Sequence, residues 1–210
     1  MDLNTIAQAL IDGKDKEVRE LVQKALDEGH TPKEILDSGM VSGMDVVGKQ
    51  FKNFEIFLPE VLISARAMKA GMEIIKPLLV KLGEEMLGNF VIGTVKGDLH
   101  DIGKNIVAAM LEGAGFQIID LGVDVPPEKY YKAVIDNNAG FLGLSALLTT
   151  TMTGMKNVID MLTKNNVRDK VKVIVGGAPM TNEFAKKIGA DGYAPDAPSA
   201  VDLCKNWVTP

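Results

Sequence analysis

The chain has 210 residues, of which 46% are hydrophobic and 24% are charged, so it can bury one good core or two modest ones and is neither disordered nor fibrous. Its net charge of −5, with basic side chains interleaved among acidic ones, argues against nucleic acid as a main partner, since phosphate binding needs a concentrated basic face. The single cysteine, Cys204, excludes an internal disulfide and a multi-cysteine metal site.

The sequence also argues against a membrane partner. No apolar run reaches the roughly 18 to 20 residues that a membrane span requires. Residues 1–13 lack the basic start and the apolar stretch of a signal peptide. We therefore expect a cytoplasmic protein.

Residues 1–88 have a helical pattern throughout, which predicts a domain that is a four-helix bundle. The helices are predicted at 4–11, 15–28, 31–52 with breaks near Gly39 and Gly43, and 58–87. The segment Thr-Pro-Lys-Glu at 31–34 is typical of a helix start, because the threonine caps, the proline suits the first position and the glutamate can bond back. Pro77 is expected to kink or split the last helix.

After residue 88, strands and helices alternate, which predicts a second domain over residues 89–210. Five short apolar runs predict strands at 90–95, 116–121, 141–147, 172–175 and 192–194. Helices are predicted at 104–112, 127–137, 153–164, 181–188 and 197–207. Near-continuous apolar strands separated by helices favour a parallel sheet with right-handed crossovers. The predicted fold class is α/β, with an N-terminal helical bundle and a C-terminal flavodoxin-like, doubly wound five-stranded parallel sheet.

The loop at 97–104, Gly-Asp-Leu-His-Asp-Ile-Gly-Lys, contains one of only two histidines and follows the first predicted strand. His100 therefore lies at the edge where open parallel sheets bind ligands. Gly97 and Gly103 bracket the loop, as is needed where a bulky ligand lies against the backbone. Taken alone, Asp98-x-His100 is also typical of an ordinary loop in which the aspartate caps the next helix.

Two more strand ends carry distinctive segments. Ser145 and Leu147 precede three threonines at 149–151, and Gly176-Gly177 follows the fourth strand. Separately, each is typical of a helix cap or a tight turn. Because the carboxyl ends of parallel strands share one edge, the three loops together outline a single pocket, with hydroxyl groups on one side and bare backbone on another.

Together, Asp98-x-His100-x-x-Gly103, Ser145-x-Leu147 and Gly176-Gly177 resemble the signature of cobalamin-binding domains. The whole chain resembles the corrinoid methyl-carrier proteins of multi-component methyltransferase systems, and the cap and cobalamin domains of methionine synthase. The resemblance implies cobalamin or a related corrinoid, as methylcob(III)amide and cob(I)amide, held base-off and His-on. It implies that His100 is the axial ligand to cobalt, that Asp98 holds its other ring nitrogen, and that Thr151 extends this relay.

The residue types suit that chemistry. A neutral imidazole is a suitable ligand for a borderline transition metal, and its second nitrogen usually donates to a carboxylate. Cobalt(I) sheds its axial ligands, so the imidazole must be released when the methyl group departs. A freed imidazole can take a proton near neutral pH. The relay of Asp98, His100 and Thr151 would then couple ligand loss to proton uptake.

The resemblance implies further cofactor contacts in the same loops and near the last strand. These residues are Gly97, Asp101, Ile102, Gly103, Ser145, Leu147, Thr149, Gly176, Gly177, Tyr193 and Asp196. Ser145 and Thr149 would contact the buried base, and Gly103, Gly176 and Gly177 would make room for the nucleotide tail. In the helical domain, Phe57, Val61 and Met68 would cover the methyl-bearing face of the ring, and the same helix face is also typical of bundle core.

The predicted function is that of a non-catalytic carrier subunit in anaerobic one-carbon metabolism. The methyl group would travel on cobalt from a substrate-specific methyltransferase to a second methyltransferase, whose acceptor is tetrahydrofolate or a thiol coenzyme. A reductive activase is an expected third partner. Related systems use methanol, methylamines, betaines or aryl methyl ethers as donors, and the sequence does not choose among them.

Three alternatives stay open at this stage. The first is a cobalamin-dependent sensor or regulator, which requires a DNA-binding or signalling segment. The second is the cobalamin domain of a carbon-skeleton mutase, although such domains usually lack a helical cap of this type. The third is a flavodoxin-like protein without cobalt, which a spectrum of the purified protein would distinguish.

Overall fold

The structure is a computed structural model that describes residues 1–82 and 86–208. The chain divides into two compact units, one of Met1–Met86 with Glu112–Gly115 and the other of Leu87–Leu111 with Phe116–Pro210. The boundary predicted at residues 88 and 89 lies close to this division. Within the described ranges, every helix is too short or too polar to cross a lipid bilayer.

The helical unit contains every helix that the periodicity predicts. Its helices are α1 (Asn4–Ile11), α2 (Asp15–Asp27), α3 (Pro32–Glu34), α4 (Ser42–Lys52) and α5 (Leu58–Leu82). The α5 helix continues through Pro77, so of the two expected outcomes, a kink or a split, the split does not occur. The predicted helix at 58–87 includes residues 83–85, which lie outside the described residues.

The start and the middle of the third predicted helix have clear local causes. Thr31 accepts a hydrogen bond from the backbone N–H of Glu34 at 3.2 Å, while the Glu34 carboxylate accepts one from the backbone N–H of Thr31 at 2.9 Å. This is the expected capping box. Between α3 and α4 the chain forms a π-helical segment, Ile35–Val41, where the sequence predicts breaks. At Gly43 a Cβ atom would lie 2.9 Å from the carbonyl oxygen of Ala7, so α1 packs directly on the glycine backbone.

The second unit is a five-stranded parallel sheet with the strand order β2-β1-β3-β4-β5. This is the flavodoxin-like order, and the predicted fold class is confirmed. The strands are β1 (Asn89–Thr94), β2 (Gln117–Asp120), β3 (Phe141–Ser145), β4 (Lys172–Gly176) and β5 (Gly192–Ala194). The helices are α6 (Ile102–Gly113), α7 (Pro127–Asp136), α8 (Thr153–Lys164), α9 (Asn182–Ile188) and α10 (Ala197–Val208).

Both faces of the sheet are buried, as a doubly wound fold requires. On one face, strand residues such as Leu142 pack against Tyr130 of α7 and Val158 of α8. A second cluster is aromatic, in which Phe141 stacks on Trp207 of α10 with ring centroids 6.4 Å apart. Cys204 of α10 is buried, and burial raises the pKa of its thiol to about 12, so the thiol is unreactive at neutral pH.

Strand β3 ends at Ser145, two residues earlier than predicted. The reason is a side chain from another loop. The backbone N–H groups of Leu147 and Leu148 donate to the Asp98 carboxylate at 2.8 Å and 3.3 Å, so they are not available to a neighbouring strand. The end of the strand is therefore already part of the candidate site.

Candidate functional site

The histidine loop lies at the carboxyl edge of the sheet, between β1 and α6. Thr94, the last residue of β1, is buried and donates its hydroxyl to the backbone carbonyl of His100 at 2.8 Å. The backbone N–H of Asp98 donates to the carbonyl of Val95 at 3.1 Å, which turns the chain back toward the strand. Gly97, within this turn, has a φ of +84°, a conformation that favours glycine.

Asp98 has no exposed surface and gathers donors from two loops. Its Oδ1 atom accepts from the backbone N–H of His100 at 3.1 Å and lies 2.7 Å from Nδ1 of the same ring. Its Oδ2 atom accepts from the hydroxyl of Thr151 at 2.7 Å, in addition to the backbone N–H groups of Leu147 and Leu148. The carboxylate thus joins the loop after β1 to the loop after β3.

The hydrogen bonds decide the charge of Asp98. Burial raises the pKa of this carboxyl, but the hydrogen bonds from Thr151, from the His100 ring and from the backbone N–H of Leu147 outweigh burial. Together they hold the pKa of Asp98 well below its ordinary value. The group is therefore a carboxylate at neutral pH, and a carboxylate can only accept hydrogen bonds.

The charge of Asp98 determines which nitrogen atom of His100 carries the ring proton. Since Asp98 only accepts, the short contact requires the ring to carry its proton on Nδ1. In the neutral ring, Nε2 then presents a lone pair. The His100 side chain is 51% exposed, and within the described parts of the chain Nε2 has no hydrogen-bond partner. The imidazole is oriented by the protein and open to an external metal.

Thr151 connects the same carboxylate with a cavity of about 350 Å³. The cavity wall also includes Lys96, Gly97 and Asn157. Lys96 and Asn157 contribute polar side chains to this wall, and Val125 and Pro127 contribute apolar ones. Because Asp98 itself is buried, the Thr151 hydroxyl provides a hydrogen-bonded path from this cavity to the carboxylate.

The other predicted residues of the sheet edge fall into two groups. Ser145 pairs in register with both Thr94 and Gly176, and Tyr193 lies on β5 opposite Val175, so these residues share the carboxyl edge. Thr149 and Ile102 are exposed on the flanking loop and helix, with no hydrogen bond to the Asp98–His100 pair among the described residues.

The two predicted acidic residues other than Asp98 make hydrogen bonds within the starts of neighbouring helices. Asp101, just before α6, accepts a hydrogen bond from the side chain of Asn105 at 3.1 Å. Asp196 accepts one from the backbone N–H of Ser199 at 2.7 Å, at the start of α10. Asp196 thus caps α10, whereas the contact of Asp101 is a side-chain hydrogen bond along the first turn of α6.

The fold explains why one of the predicted positions is glycine and does not explain another. Gly177 has a φ of +122°, and a Cβ atom there would lie 1.9 Å from the carbonyl oxygen of Ala146, so the protein itself requires it. Gly103 is exposed on the first turn of α6, and a Cβ atom there would meet nothing within 4 Å. Nothing in the fold requires glycine at this position.

A corrinoid fits these residues. Four large apolar side chains near the histidine are exposed. Leu99 and Ile102 flank His100 in the chain, and Leu147 and Leu148 bind Asp98 through their backbone N–H groups. Exposed apolar groups at a sheet edge suit the planar face of a macrocycle. The open space at Gly103 is what close approach of such a group requires.

In the helical unit, the three predicted residues differ in exposure. Phe57 is 63% exposed and lies just before α5, with its backbone N–H bound to the carboxylate of Glu60 at 3.1 Å. Val61 and Met68 are buried side chains of α5. Phe57 is thus the exposed member of the three.

Several residues near the site were not predicted from the sequence. Thr94 holds the His100 backbone, and Lys104 places a side chain that is only 1% exposed 2.6 Å from the carboxylate of Asp120. Asp124 accepts a hydrogen bond from the backbone N–H of Gly97 at 2.7 Å. A lysine inside the apolar stripe of a helix was the one signal in the sequence that could have indicated such a network.

Comparison with known proteins places this geometry in a family. Two family profiles, both described as B12 binding domains, match residues 88–202 and 2–76. A corrinoid protein of Desulfitobacterium hafniense (strain Y51) is 47% identical over 204 residues, covering 96% of this chain and 94% of that protein. The dimethylamine corrinoid protein of Methanosarcina barkeri is 46% identical over 204 residues, covering 97% of this chain and 95% of that protein.

A solved structure agrees with the sequence matches. The methanol:cobalamin methyltransferase complex of Methanosarcina barkeri contains a chain that is 35% identical, with a TM-score of 0.88. The match covers 98% of this chain and 79% of that chain. The profiles, the relatives and this structure agree with the signature residues of the histidine loop, and the chain belongs to the family of B12-binding corrinoid proteins.

Proposed function

We propose that this protein carries a methyl group on the cobalt of a corrinoid between two methyltransferases, with His100 as the lower axial ligand in a base-off, His-on complex. One observation carries the proposal. The His100 ring is held on its Nδ1 side by a buried carboxylate, while Nε2 has no partner among the described residues. A metal-binding histidine needs this arrangement, because the second nitrogen sets the tautomer and the ring orientation.

When bound, the corrinoid supplies a cobalt centre that accepts and releases a methyl group. The contribution of Asp98 is to keep the proton on Nδ1 and the lone pair on Nε2. Thr151 is proposed to complete a relay, since its hydroxyl donates to Asp98 and the residue also lines the 350 Å³ cavity. When His100 leaves the metal, the freed lone pair of Nε2 can take a proton, and the Asp98 carboxylate, held by Thr151, would stabilise the resulting imidazolium.

We assign the nucleotide tail and its base to the sheet edge beyond the histidine loop. Ser145 and Thr149 are proposed to contact the base beside Leu147, and Gly97, Gly103, Gly176 and Gly177 to leave room for the tail. The support comes from Gly103, which no contact in the protein explains, and from the register that places Ser145 next to Gly176. The other proposed contacts are Asp101, Ile102, Tyr193 and Asp196.

For the methyl-bearing face, we propose that the helical unit provides the cover. Phe57 is the exposed side chain of the three predicted residues and is proposed to make the contact. Val61 and Met68 are buried, so their proposed contribution is to hold α5 and, through it, the Phe57 segment in place.

The partners follow from the same proposal. A substrate-specific methyltransferase would load the methyl group, a second one would pass it to tetrahydrofolate or a thiol coenzyme, and a reductive activase would restore oxidised cobalt. We propose a methylated amine as the donor, since curated relatives include dimethylamine corrinoid proteins at 41–46% identity and a trimethylamine corrinoid protein at 43%. Loading with mono-, di- and trimethylamine methyltransferases, with a methanol methyltransferase as the comparison, tests this choice.

The axial ligand is tested by replacing His100 with glycine in the full chain loaded with cobalamin. The expected wild-type spectrum is base-off and His-on. The His100→Gly variant should still bind cobalamin but should lose the His-on spectrum and transfer methyl groups more slowly. His30→Gly, which replaces the other histidine, is the matched control and should behave like the wild type. A base-on spectrum of the wild type, or an unchanged spectrum of His100→Gly, contradicts the proposal.

A further inference from the structure

Asp124 has a positive φ, which is uncommon for residues other than glycine. It lies between β2 and α7 with a φ of +52°, in the left-handed region that few residues other than glycine occupy and that aspartate and asparagine tolerate best among them. Its own side chain is exposed, so packing does not explain the conformation. A residue held in this region near a functional site indicates that its other contacts compensate for the strain.

Those contacts all lead to the histidine loop. The Asp124 carboxylate accepts a hydrogen bond from the backbone N–H of Gly97 at 2.7 Å. The backbone N–H of Asp124 donates to the carbonyl of Asp98 at 3.0 Å. One residue therefore holds the peptide groups on both sides of the Gly97–Asp98 bond, and the left-handed conformation is what lets its side chain and its N–H point to the same loop.

The segment that carries Asp124 is itself fixed to the sheet. The backbone N–H of Thr94 donates to the carbonyl of Gly122 at 2.9 Å, and that of Val125 donates to the carbonyl of Thr94 at 3.0 Å. Val95 and Val125 form a parallel bridge that continues the pairing of β1 with β2. Asp124 is thus attached to a rigid edge of the sheet rather than to a free loop.

We propose that Asp124 is a positioning residue for His100, a role that rests on the proposed function of His100 as the axial ligand. By holding both peptide groups of the turn, Asp124 fixes where the Asp98 carboxylate lies. Asp98 in turn orients the imidazole through the 2.7 Å contact with Nδ1. Asp124 contacts neither the ring nor the site of the metal, and acts only through Asp98.

Three substitutions separate this role from a contribution to folding. Asp124→Gly removes the acceptor for Gly97 and also relieves the positive φ, so it should fold well. Asp124→Ala removes the acceptor and keeps the strain. Asp124→Asn keeps an oxygen acceptor and tolerates the same backbone conformation, so it should restore the wild-type behaviour. Asn138→Gly is the matched control, because Asn138 is exposed at a φ of +45° and its side chain has no hydrogen bond within the described residues.

The first readout uses the protein without corrinoid. In Asp124→Gly, hydrogen exchange of the Gly97 amide should be about tenfold or more faster than in the wild type, as expected for the loss of one hydrogen bond to a charged group. Nitrogen chemical shifts of the His100 ring should change from one dominant tautomer to a mixture. Asp124→Asn and Asn138→Gly should match the wild type in both measurements. Unchanged exchange and an unchanged tautomer in Asp124→Gly would overturn the proposal.

The second readout uses the loaded protein in its cob(II) state. Electron paramagnetic resonance then shows nitrogen superhyperfine splitting when an imidazole is the axial ligand. Asp124→Gly and Asp124→Ala should lose about half or more of the split signal, while Asp124→Asn keeps it. A full split signal in Asp124→Gly contradicts the positioning role. A wild type without any split signal refutes the axial ligand itself, and the exchange and tautomer results then decide whether Asp124 orients the His100 ring.

Discussion

The Nδ1 atom of His100 lies 2.7 Å from Oδ1 of Asp98, while the other oxygen of the same carboxylate accepts a hydrogen bond from Thr151. Asp98 is buried, whereas half of the His100 side chain is exposed. The carboxylate is therefore the fixed part of the pair and the ring is the accessible part. Any change in the loop after β3 should reach the imidazole through Asp98.

Replacing Asp98 with asparagine should destabilise the protein by about 2–3 kcal/mol, since hydrogen bonds to a charged group are lost and an amide N–H₂ meets the donors of Leu147 and Leu148. Urea unfolding at pH 7 measures this difference. An equal substitution at Asp136, which is exposed at the end of α7, serves as the control and should change stability little.

The effect of Asp98 should also depend on pH. Because its folded-state pKa is held below the ordinary value, its contribution to stability is present above the unfolded-state pKa of about 4 and is lost as the pH falls through the folded-state pKa. The stability difference between the wild type and Asp98→Asn should therefore shrink as the pH is lowered from 5 toward 2. A constant difference over this range would show that the charge of Asp98 does not stabilise the fold.

Alanine substitutions at Gly103 and Gly177 should have opposite consequences. Gly103→Ala should leave the corrinoid-free protein unchanged or more stable by up to about 1 kcal/mol, because alanine favours the helix and its Cβ meets open space. The same variant should bind cobalamin more weakly, which a spectrophotometric titration measures. Unweakened binding would mean that no ligand approaches this position.

Gly177→Ala should instead damage the fold. Its Cβ would overlap the carbonyl oxygen of Ala146 at 1.9 Å and would sit at a φ of +122°, so we expect a loss of about 3 kcal/mol or more in thermal or urea unfolding. The two substitutions therefore distinguish a glycine that no protein contact explains from one that the fold itself requires. A stable Gly177→Ala variant would require the β4 loop to move away from β3.

Removal of Asp120 should lower the free energy of unfolding more than removal of its ion-pair partner Lys104. The Lys104 side chain is 1% exposed and that of Asp120 is 40% exposed. Asp120→Ala leaves a buried ammonium without its carboxylate and should cost about 3 kcal/mol, whereas Lys104→Met leaves a carboxylate that water can reach and should cost about 1 kcal/mol. Urea unfolding of both single variants and of the double variant tests this order, and equal costs would contradict it.

Removal of the Thr151 hydroxyl should affect proton movement more than folding. Thr151→Val keeps the volume but removes one hydrogen bond to Asp98, so we expect a stability loss of about 1–2 kcal/mol. Methyl transfer should slow and depend more steeply on pH, while Thr151→Ser should restore both. The pH dependence of transfer with the purified partner enzymes is the measurement, and identical profiles for Val and Ser would exclude the relay.

The sequence by itself determined the element types, the fold class and the site loops, because these follow from local patterns. Alternating apolar strands and helices define a doubly wound sheet, and the capping signal at Thr31 needs only four residues. The loops of His100, Ser145 and Gly176 could be placed at one edge because parallel strands share their direction.

Only the tertiary structure decided which residues act on one another across that edge. The end of β3 at Ser145 depends on donors taken by Asp98 from a different loop, and no local pattern records this. The hydrogen bond from the Gly97 N–H to Asp124 and the ion pair of buried Lys104 with Asp120 also join segments that are distant in the chain. Local propensity fixes how each segment folds, whereas the hydrogen bonds that orient His100 exist only once β1, β2 and β3 lie side by side.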